Sequence, residues 1–322
     1  MLCSFQHGPA SHAHPRTLLT ISPSPRRIPG GRPQQNMKIY ISSATPQILK
    51  ALVHHCPDHR FNFMFSFASI TKSHVKALQE NSSIVSSTML DSGAYTLNFG
   101  KGEKRHIRLL PYMDYLETHQ ALFDVYFNFD ALFFAIGFEN NHRNLNLIES
   151  CDLYPTPVIH DYKDYYGEVS FYKKSMHPII SLGWSAIKTN PNLIRLTKEF
   201  QQAGKQVHLL GRSTYNLLSK SGAECCDSSS WARYAQFGNV VFWRESKIGP
   251  DKTELIYCGK RRQPKITFAN YQYVKELDAF LWSKARLRAI DLVGEKQYLN
   301  RQIANVLYYH KLEEEITKLH TK

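Results

Sequence analysis

Three aspartates stand at the ends of short apolar runs that have the composition of β-strands. Asp91 follows IVSSTML, Asp130 ends VYFNFD, and Asp227 ends AECCD. An aspartate after a strand often caps the next helix, so each of them alone has a structural explanation. Three carboxylates brought to one edge of a sheet instead indicate acid/base or nucleophilic chemistry at an electron-poor carbon, or a divalent cation site.

The residues next to these aspartates favour a substrate with a planar ring. Ser92 and Gly93 follow the first aspartate, which lets backbone N–H groups and a planar ligand come close. Asp227 opens DSSSW, where a carboxylate, three hydroxyls and the indole of Trp231 are combined. Aromatic stacking beside carboxylates suits a purine. Because no His-x-His or carboxylate pair stands at ligand spacing nearby, the sequence predicts no metal centre.

Further polar and aromatic residues end the other strand-like runs, and each of them has an ordinary structural alternative. They are His160, Gly183, Trp184, Gly211 and Arg212. An aromatic ring or a histidine at such a place is usually a packed core side chain. Their number at the ends of consecutive runs is what favours a shared site.

These residues need a scaffold, and the sequence predicts one. Nine β-rich runs alternate with helix-compatible stretches; they cover residues 38–43, 61–67, 84–90, 125–130, 156–160, 178–183, 206–211, 223–227 and 239–243. Several are apolar throughout, as in strands covered on both faces. The count suits a closed barrel, and no G-x-G-x-x-G fingerprint follows any run. The predicted fold is therefore α/β, a (β/α)8 TIM-like barrel with a helical C-terminal extension.

The chain is predicted to have three parts. Residues 1–36 contain six of the fifteen prolines, four arginines and no acidic residue, which indicates a disordered leader; a basic arm for nucleic acid is the alternative. Residues 37–258 are predicted to form the barrel. Residues 259–322 open with a basic connector and continue in helical patterns, which predicts a helical extension that packs on the barrel.

Charge and cysteine spacing restrict the class of protein further. The net charge of +13 favours a polyanionic partner, with nucleic acid first and an anionic membrane surface second. The six cysteines contain no C-x-x-C pair, which argues against structural zinc and against a disulfide framework. No run approaches the roughly 18 apolar residues of a membrane span. A reduced, intracellular location is expected.

Five motifs, taken in order, resemble those of the tRNA-guanine transglycosylases and their DNA-acting relatives in phage and bacterial deazapurine modification systems. The motifs are DSGAY (91–95), FNFD (127–130), ISLGW (180–184), HLLG (208–211) and CDSSSW (226–231). The resemblance covers roughly residues 85–243. The D-S-G and D-S-x-S-W pair is most similar to the DNA-acting and archaeal-like branches.

The resemblance implies exchange of a guanine in nucleic acid for a 7-deazaguanine base such as 7-cyano-7-deazaguanine. Asp227 would attack the anomeric carbon and expel guanine, while Asp91 would handle the protons of the two bases. The implied base-binding residues are Ser92, Gly93, Asp130, Gly183, Trp184 and Gly211. The implied nucleic-acid contacts are Arg212, Ser228, Trp231, Arg233 and His160. The nucleophile should stay ionised with help from the hydroxyls of residues 228–230, and the proton shuttle should have a raised pKa.

The resemblance has one departure, which bears on the substrate. The tRNA-acting enzymes carry a C-x-C-x2-C cluster with a later histidine, and the corresponding region here offers only Cys258. The sequence therefore predicts DNA as substrate, with tRNA as the alternative, and no cofactor. An ATPase or helicase partner and the cytoplasm of a bacterial or phage-infected cell are the further expectations.

Two other classes of protein stay open at this point. A nucleoside- or glycoside-cleaving barrel enzyme would use the same carboxylates and release the free base. A non-catalytic nucleic-acid-binding module suits the charge of +13, but it does not account for three aspartates at strand ends.

Overall fold

Eight parallel strands follow one another around a single curved sheet. The computed structural model describes residues 36–100, 107–134, 137–259 and 266–321. The strands are β1 Lys38–Ser42, β2 Phe61–Ser66, β3 Val85–Asp91, β4 Val125–Tyr126, β5 Val158–Ile159, β6 Ile179–Leu182, β7 Gln206–Leu209 and β8 Cys225–Ser228. Consecutive strands pair from β1 to β4 and from β5 to β8, and β8 pairs with β1.

The two edges of this sheet, β4 and β5, also meet. Phe127 and Thr156 form a parallel bridge just outside the two strands. Asn128 N donates to Thr156 O at 2.9 Å, and Thr156 N donates to Tyr126 O at 2.8 Å. The predicted (β/α)8 barrel is therefore confirmed, although β4 and β5 are shorter than the predicted runs.

The barrel is lined by side chains that alternate along each strand. Its apolar centre consists of Tyr40, Met64, Met89, Phe127, Val158 and Cys225, with Val125 and Leu210 packed against them. Because side chains repeat with a period of two along a strand, the residues two positions later face the same way. These are polar in several strands: Ser42, Ser66, Asp91, His160 and Asp227. A polar layer thus lies above the apolar centre, at the C-terminal ends of the strands.

Helices alternate with the strands, and the last two follow a separate strand pair, Asn239–Trp243 and Thr253–Tyr257. They are α1 Pro46–His55, α2 Lys72–Glu80, α3 Ala94–Phe99, α4 Leu109–His119, α5 Gly137–Glu149, α6 Glu168–Lys174, α7 Asn190–Gln202, α8 Tyr215–Ser221, α9 Ser230–Gln236, α10 Val274–Ala285 and α11 Tyr298–His320. In α7, Leu193, Leu196 and Phe200 recur at helical spacing and are fully buried. Thr45 caps helix α1, because its hydroxyl accepts from Ile48 N. Proline occupies the first position of the helix.

The ninth predicted strand lies outside the barrel. It forms β9 Asn239–Trp243, which pairs antiparallel with β10 Thr253–Tyr257. Because β8 already pairs with β1, an eight-stranded barrel leaves β9 no place in its sheet. Residues 223–243 therefore continue the wall of the barrel and then turn away from it.

Helix α11 covers the strand that begins the barrel. It contacts β1, α1, α8 and α9. Two of its buried polar side chains have partners on the barrel: Asn305 accepts from Val241 N and donates to Trp231 O, and Arg301 donates to carbonyls including Ala235 O. The extension predicted after residue 258 thus contains a helix that is part of the barrel wall. The boundary at 258 itself stays a prediction.

Glu313 of α11 ties this helix to the first two strands. Its Oε2 accepts from Ile39 N at 2.6 Å and from Asn62 Nδ2 at 2.9 Å. Burial raises the pKa of Glu313 to about 7, against the lowering effect of these two donors. The folded protein consequently holds a proton that the unfolded chain releases between the ordinary pKa of glutamate and pH 7.

Replacing Glu313 with glutamine should stabilise the protein at alkaline pH. Since the folded state binds the extra proton, wild-type stability falls as the pH rises from about 4.5 to 7, by up to about 3 kcal/mol. The glutamine keeps an acceptor for Ile39 N and does not ionise. Urea unfolding at pH 5 and pH 8 should show a gain at pH 8 alone. An equal effect at both pH values would contradict this assignment of the pKa.

Two further sequence predictions concern the leader and membrane-spanning segments. The predicted leader 1–36 falls, except for Asn36, outside the described residues. Within the described ranges, no helix has both the length and the apolar character needed to cross a bilayer.

Candidate active site at the barrel mouth

Asp91 stands at the C-terminal end of β3, where two donors hold one oxygen of its carboxylate. Ser66 Oγ donates to Oδ2 at 2.9 Å, and Gly93 N donates to the same atom at 3.0 Å. Burial raises the pKa of Asp91 to about 6; the hydrogen bonds lower it, and the charges of Asp227 and Asp130 raise it. The three predicted aspartates therefore share one electrostatic environment, and Asp91 is poised to exchange a proton near neutral pH.

Asp227 lies across the barrel on β8 and is held more tightly. Gly211 N donates to Oδ1 at 2.6 Å, Ser42 Oγ donates to Oδ2 at 3.0 Å, and His208 Nε2 lies 3.3 Å from Oδ1. The carboxylate is only 4% exposed. These contacts fix its orientation.

The donors to Asp227 are not the hydroxyls of residues 228–230 that were expected to support it, so that part of the prediction was wrong. Ser228 Oγ donates to Tyr309 in α11 and accepts from Ser230 N. Ser228 is buried, which also removes it as a nucleic-acid contact in this conformation. The supporting residues that sequence reasoning missed are Ser42, Ser66 and His208. The alternation of side chains along β1, β2 and β7 was the signal that could have found them.

Ser92 and Gly93 shape the turn after β3 and present little to a ligand. Gly93 has a φ of +83°, and a Cβ there would lie 2.8 Å from Ala68 Cβ. Only glycine fits both constraints. Its N–H group is donated to Asp91, and Ser92 is 1% exposed. Gly93 thus positions the Asp91 carboxylate, and the direct contact of Ser92 and Gly93 with the base stays a prediction.

Asp130 and His160 form a buried pair between β4 and β5. Asp130 Oδ1 accepts from Asn128 Nδ2 at 2.8 Å, and Oδ2 lies 3.3 Å from His160 Nε2, without the alignment of a good hydrogen bond. His160 Nδ1 lies 2.7 Å from Trp184 O. Burial alone would lower the pKa of His160, but the facing carboxylate raises it. His160 is 92% buried and faces Asp130, so its predicted contact with nucleic acid stays a prediction.

Gly183 and Trp184 follow β6 at the same rim. Gly183 N donates to Ile159 O, and Gly183 O accepts from the hydroxyl of Tyr162 at 2.7 Å. Both backbone groups of Gly183 thus have partners within the fold, and its contact with the base stays a prediction. Trp184 is partly exposed, and its ring lies 5.0 Å from that of Phe99. It remains available for stacking.

Placing alanine at Gly183 should disturb the mouth of the barrel. Its Cβ would overlap Val158 Cγ1 and lie 2.7 Å from His160 Cε1. We expect a loss of about 1–3 kcal/mol in unfolding free energy, measured by urea denaturation. Gly183→Ala combined with Val158→Ala should recover part of the loss. A single variant as stable as the wild type would show that the rim yields without strain.

The remaining predicted contacts differ in exposure. Trp231 is fully buried, and its Nε1 donates to Ser42 O at 2.8 Å, so its predicted contact with nucleic acid was wrong. Gly211 is exposed and has a φ of +66°, but its N–H group is donated to Asp227. Arg212 and Arg233 are exposed, and their contact with a phosphate stays a prediction.

Neither a model of a known protein family nor a curated protein matches this chain. The site must therefore be interpreted from its own geometry. In the part of the chain that the structure describes, no group of three His, Cys, Asp or Glu side chains is arranged to hold a metal ion. What the mouth does offer is Asp91 with a pKa raised to about 6, Asp227 with hydrogen bonds to both oxygens, and Asp130, whose pKa burial also raises and which lies beside His160. Such an arrangement can carry out a displacement coupled to proton transfer.

Proposed function

We propose that the protein exchanges guanine in DNA for a 7-deazaguanine base, with tRNA as the alternative substrate. The observation that supports this most is the contrast between two inward-facing carboxylates at the C-terminal ends of β3 and β8. Asp91 has a pKa raised to about 6, whereas Asp227 accepts hydrogen bonds on both of its oxygens. A proton shuttle and an ionised nucleophile need these two environments.

The proposed reaction has two displacements. A carboxylate oxygen of Asp227 bonds to the anomeric carbon of the target nucleotide, and the glycosidic C–N bond breaks. The departing guanine keeps the electron pair and takes the proton of Asp91. The incoming 7-deazaguanine then gives a proton to Asp91, and its ring nitrogen attacks the same carbon and releases Asp227. The strand is not cut, and the configuration at the sugar is retained.

Other residues of the mouth support recognition. Asp130 would hydrogen-bond the amide-like edge of the base, in an orientation set by Asn128 and His160. Trp184 offers a partly exposed ring for stacking, and Arg212 offers a cation for a phosphate. The charge of +13 suits a nucleic-acid substrate. We further propose action in the cytoplasm of a bacterial or phage-infected cell, with an ATPase or helicase as partner where the DNA is duplex.

The experiment that tests the proposal is nucleoside mass spectrometry. Purified protein is incubated with 7-cyano-7-deazaguanine and, separately, with single-stranded DNA, duplex DNA or tRNA, and the nucleic acid is digested. A 7-deazaguanine deoxynucleoside would support the proposal, and a modified ribonucleoside alone would move the substrate to tRNA. Release of free guanine without incorporation would identify a nucleoside-cleaving enzyme instead. The single-stranded DNA is included because it needs no helicase to open it. No change in any of these nucleic acids would count against base exchange.

A further inference from the structure

A cavity of about 240 Å³ opens beside the barrel mouth, next to the C-terminal ends of β4, β5 and β6. His160 and Trp184 line it, but Asp91 and Asp227 do not. The cavity is therefore adjacent to the proposed reaction site and separate from it. Because His160 and Trp184 also belong to the mouth, the two sites are neighbours.

The walls of this cavity are aromatic and unusually exposed. Phe134 is 59% exposed, Tyr165 71% and Tyr166 52%. Behind them, the ring of Phe133 is stacked on that of His160 at 4.4 Å and lies nearly parallel to that of Trp184 at 5.9 Å. Exposed aromatic rings grouped around one concavity are typical of a surface that is covered by a ligand. Flat faces favour a flat ligand.

The loop that carries the two tyrosines is fixed by its own hydrogen bonds. Asp161 accepts from Lys163 N at 3.3 Å and from Tyr166 N at 2.8 Å. Lys163 Nζ lies 3.2 Å from the hydroxyl of Tyr165 and 5.4 Å from the centre of its ring. A cation is thus held at the edge of the aromatic surface, where a phosphate that follows a stacked base would lie.

We infer that this cavity binds an unpaired nucleobase adjacent to the target guanine. The inference rests on the proposed function for the position of the target base itself. Stacking on aromatic rings accepts any base, because every base has a π-face, so the cavity supplies affinity without a strict sequence requirement. Two consecutive bases can occupy the two sites only when neither is stacked in a duplex. The substrate class is therefore a single-stranded or locally opened strand.

The test is a binding measurement that does not depend on catalysis. Labelled short single strands with one guanine, as DNA and as RNA, are titrated with the full-length protein by fluorescence anisotropy. The cavity variant is Tyr165→Ala combined with Tyr166→Ala. The matched control is Tyr154→Ala, which removes a tyrosine of similar exposure at the opposite ends of the strands. Because all three tyrosines are exposed, thermal melting should be unchanged.

We expect the cavity variant to bind the intact strand about fivefold more weakly or worse, and the control to bind normally. A strand with an abasic site beside the guanine should lose the same factor with wild-type protein. The variant and the abasic strand together should show no further loss, because each removes one partner of the same contact. The arm, DNA or RNA, in which this coupling appears identifies the source of the base.

Two results would overturn the inference. One is normal binding by the cavity variant. The other is a loss that is just as large on the abasic strand, since the tyrosines would then contact something other than the neighbouring base. Coupling without any base exchange would count against the proposed function and leave the base site intact. Base exchange without coupling would support the proposed function and count against the base site in the cavity.

Discussion

Asparagine at Asp227 should abolish base exchange, with a fall in rate of about 10⁴-fold or more. The amide oxygen cannot form the ester link to the anomeric carbon, and no neighbouring carboxylate replaces it, because Asp91 is held on β3 by Ser66 and Gly93. Asparagine still offers an oxygen to Gly211 N, and Ser42 Oγ can accept from the new amide. The fold should therefore survive. Incorporation of 7-cyano-7-deazaguanine by mass spectrometry is the measurement.

Asp124→Asn is the matched control for this variant. Asp124 lies at the opposite end of the barrel, where its Oδ2 accepts from Thr88 N and Ser87 Oγ. Its replacement affects hydrogen bonds of the same kind away from the mouth, and exchange should continue. A covalent protein–nucleic acid adduct, detected by intact-mass analysis, should form with the wild type and the control only. An adduct on the Asp227 variant would assign the nucleophile to another residue.

Asparagine at Asp91 should slow exchange by about 10²- to 10⁴-fold and remove its pH dependence. The expulsion of guanine needs the protonated carboxyl, and the pKa of Asp91 is about 6. In the wild type, kcat/KM should therefore fall as the pH rises above 6, about tenfold for each pH unit. The variant has no such group, so its residual rate should be flat over the same range.

Ser66→Ala provides the positional test of the same idea. Ser66 Oγ donates to the Asp91 carboxylate and lowers its pKa, so its removal should move the inflection of kcat/KM to higher pH while the protein keeps exchanging bases. An unchanged inflection in Ser66→Ala, or a retained inflection in Asp91→Asn, would show that another group controls the profile.

Much of the scaffold was predictable because local sequence patterns indicate its strands and helices. Apolar runs that alternate with helix-compatible stretches predicted the eight barrel strands, and aspartates at the ends of three runs predicted a cluster at one rim. Strand ends in a parallel barrel meet by geometry alone, so no knowledge of side-chain packing was needed.

The errors concern contacts between distant parts of the chain. Ser42 donates to Asp227 across 185 positions of sequence, and Trp231 donates to the carbonyl of Ser42 across 189. No local pattern separates a buried tryptophan under the rim from an exposed one on it. The use of Gly211 N by Asp227 depends in the same way on the pairing of β7 with β8 and on a left-handed backbone. These details decide which groups remain free for a ligand.

The helix that covers β1 has a consequence for how the protein is made. Met37 N donates to Thr317 Oγ1, and Ile39 N donates to Glu313, so the first strand is fastened by residues translated some 280 positions later. A nascent chain on the ribosome would carry β1 long before its cover emerges, and contacts of such separation are slow to form. The reaction site shares that strand through Ser42, which orients Asp227. Maturation of the site is thus tied to the synthesis of α11, which follows that of β1 by well over 200 residues.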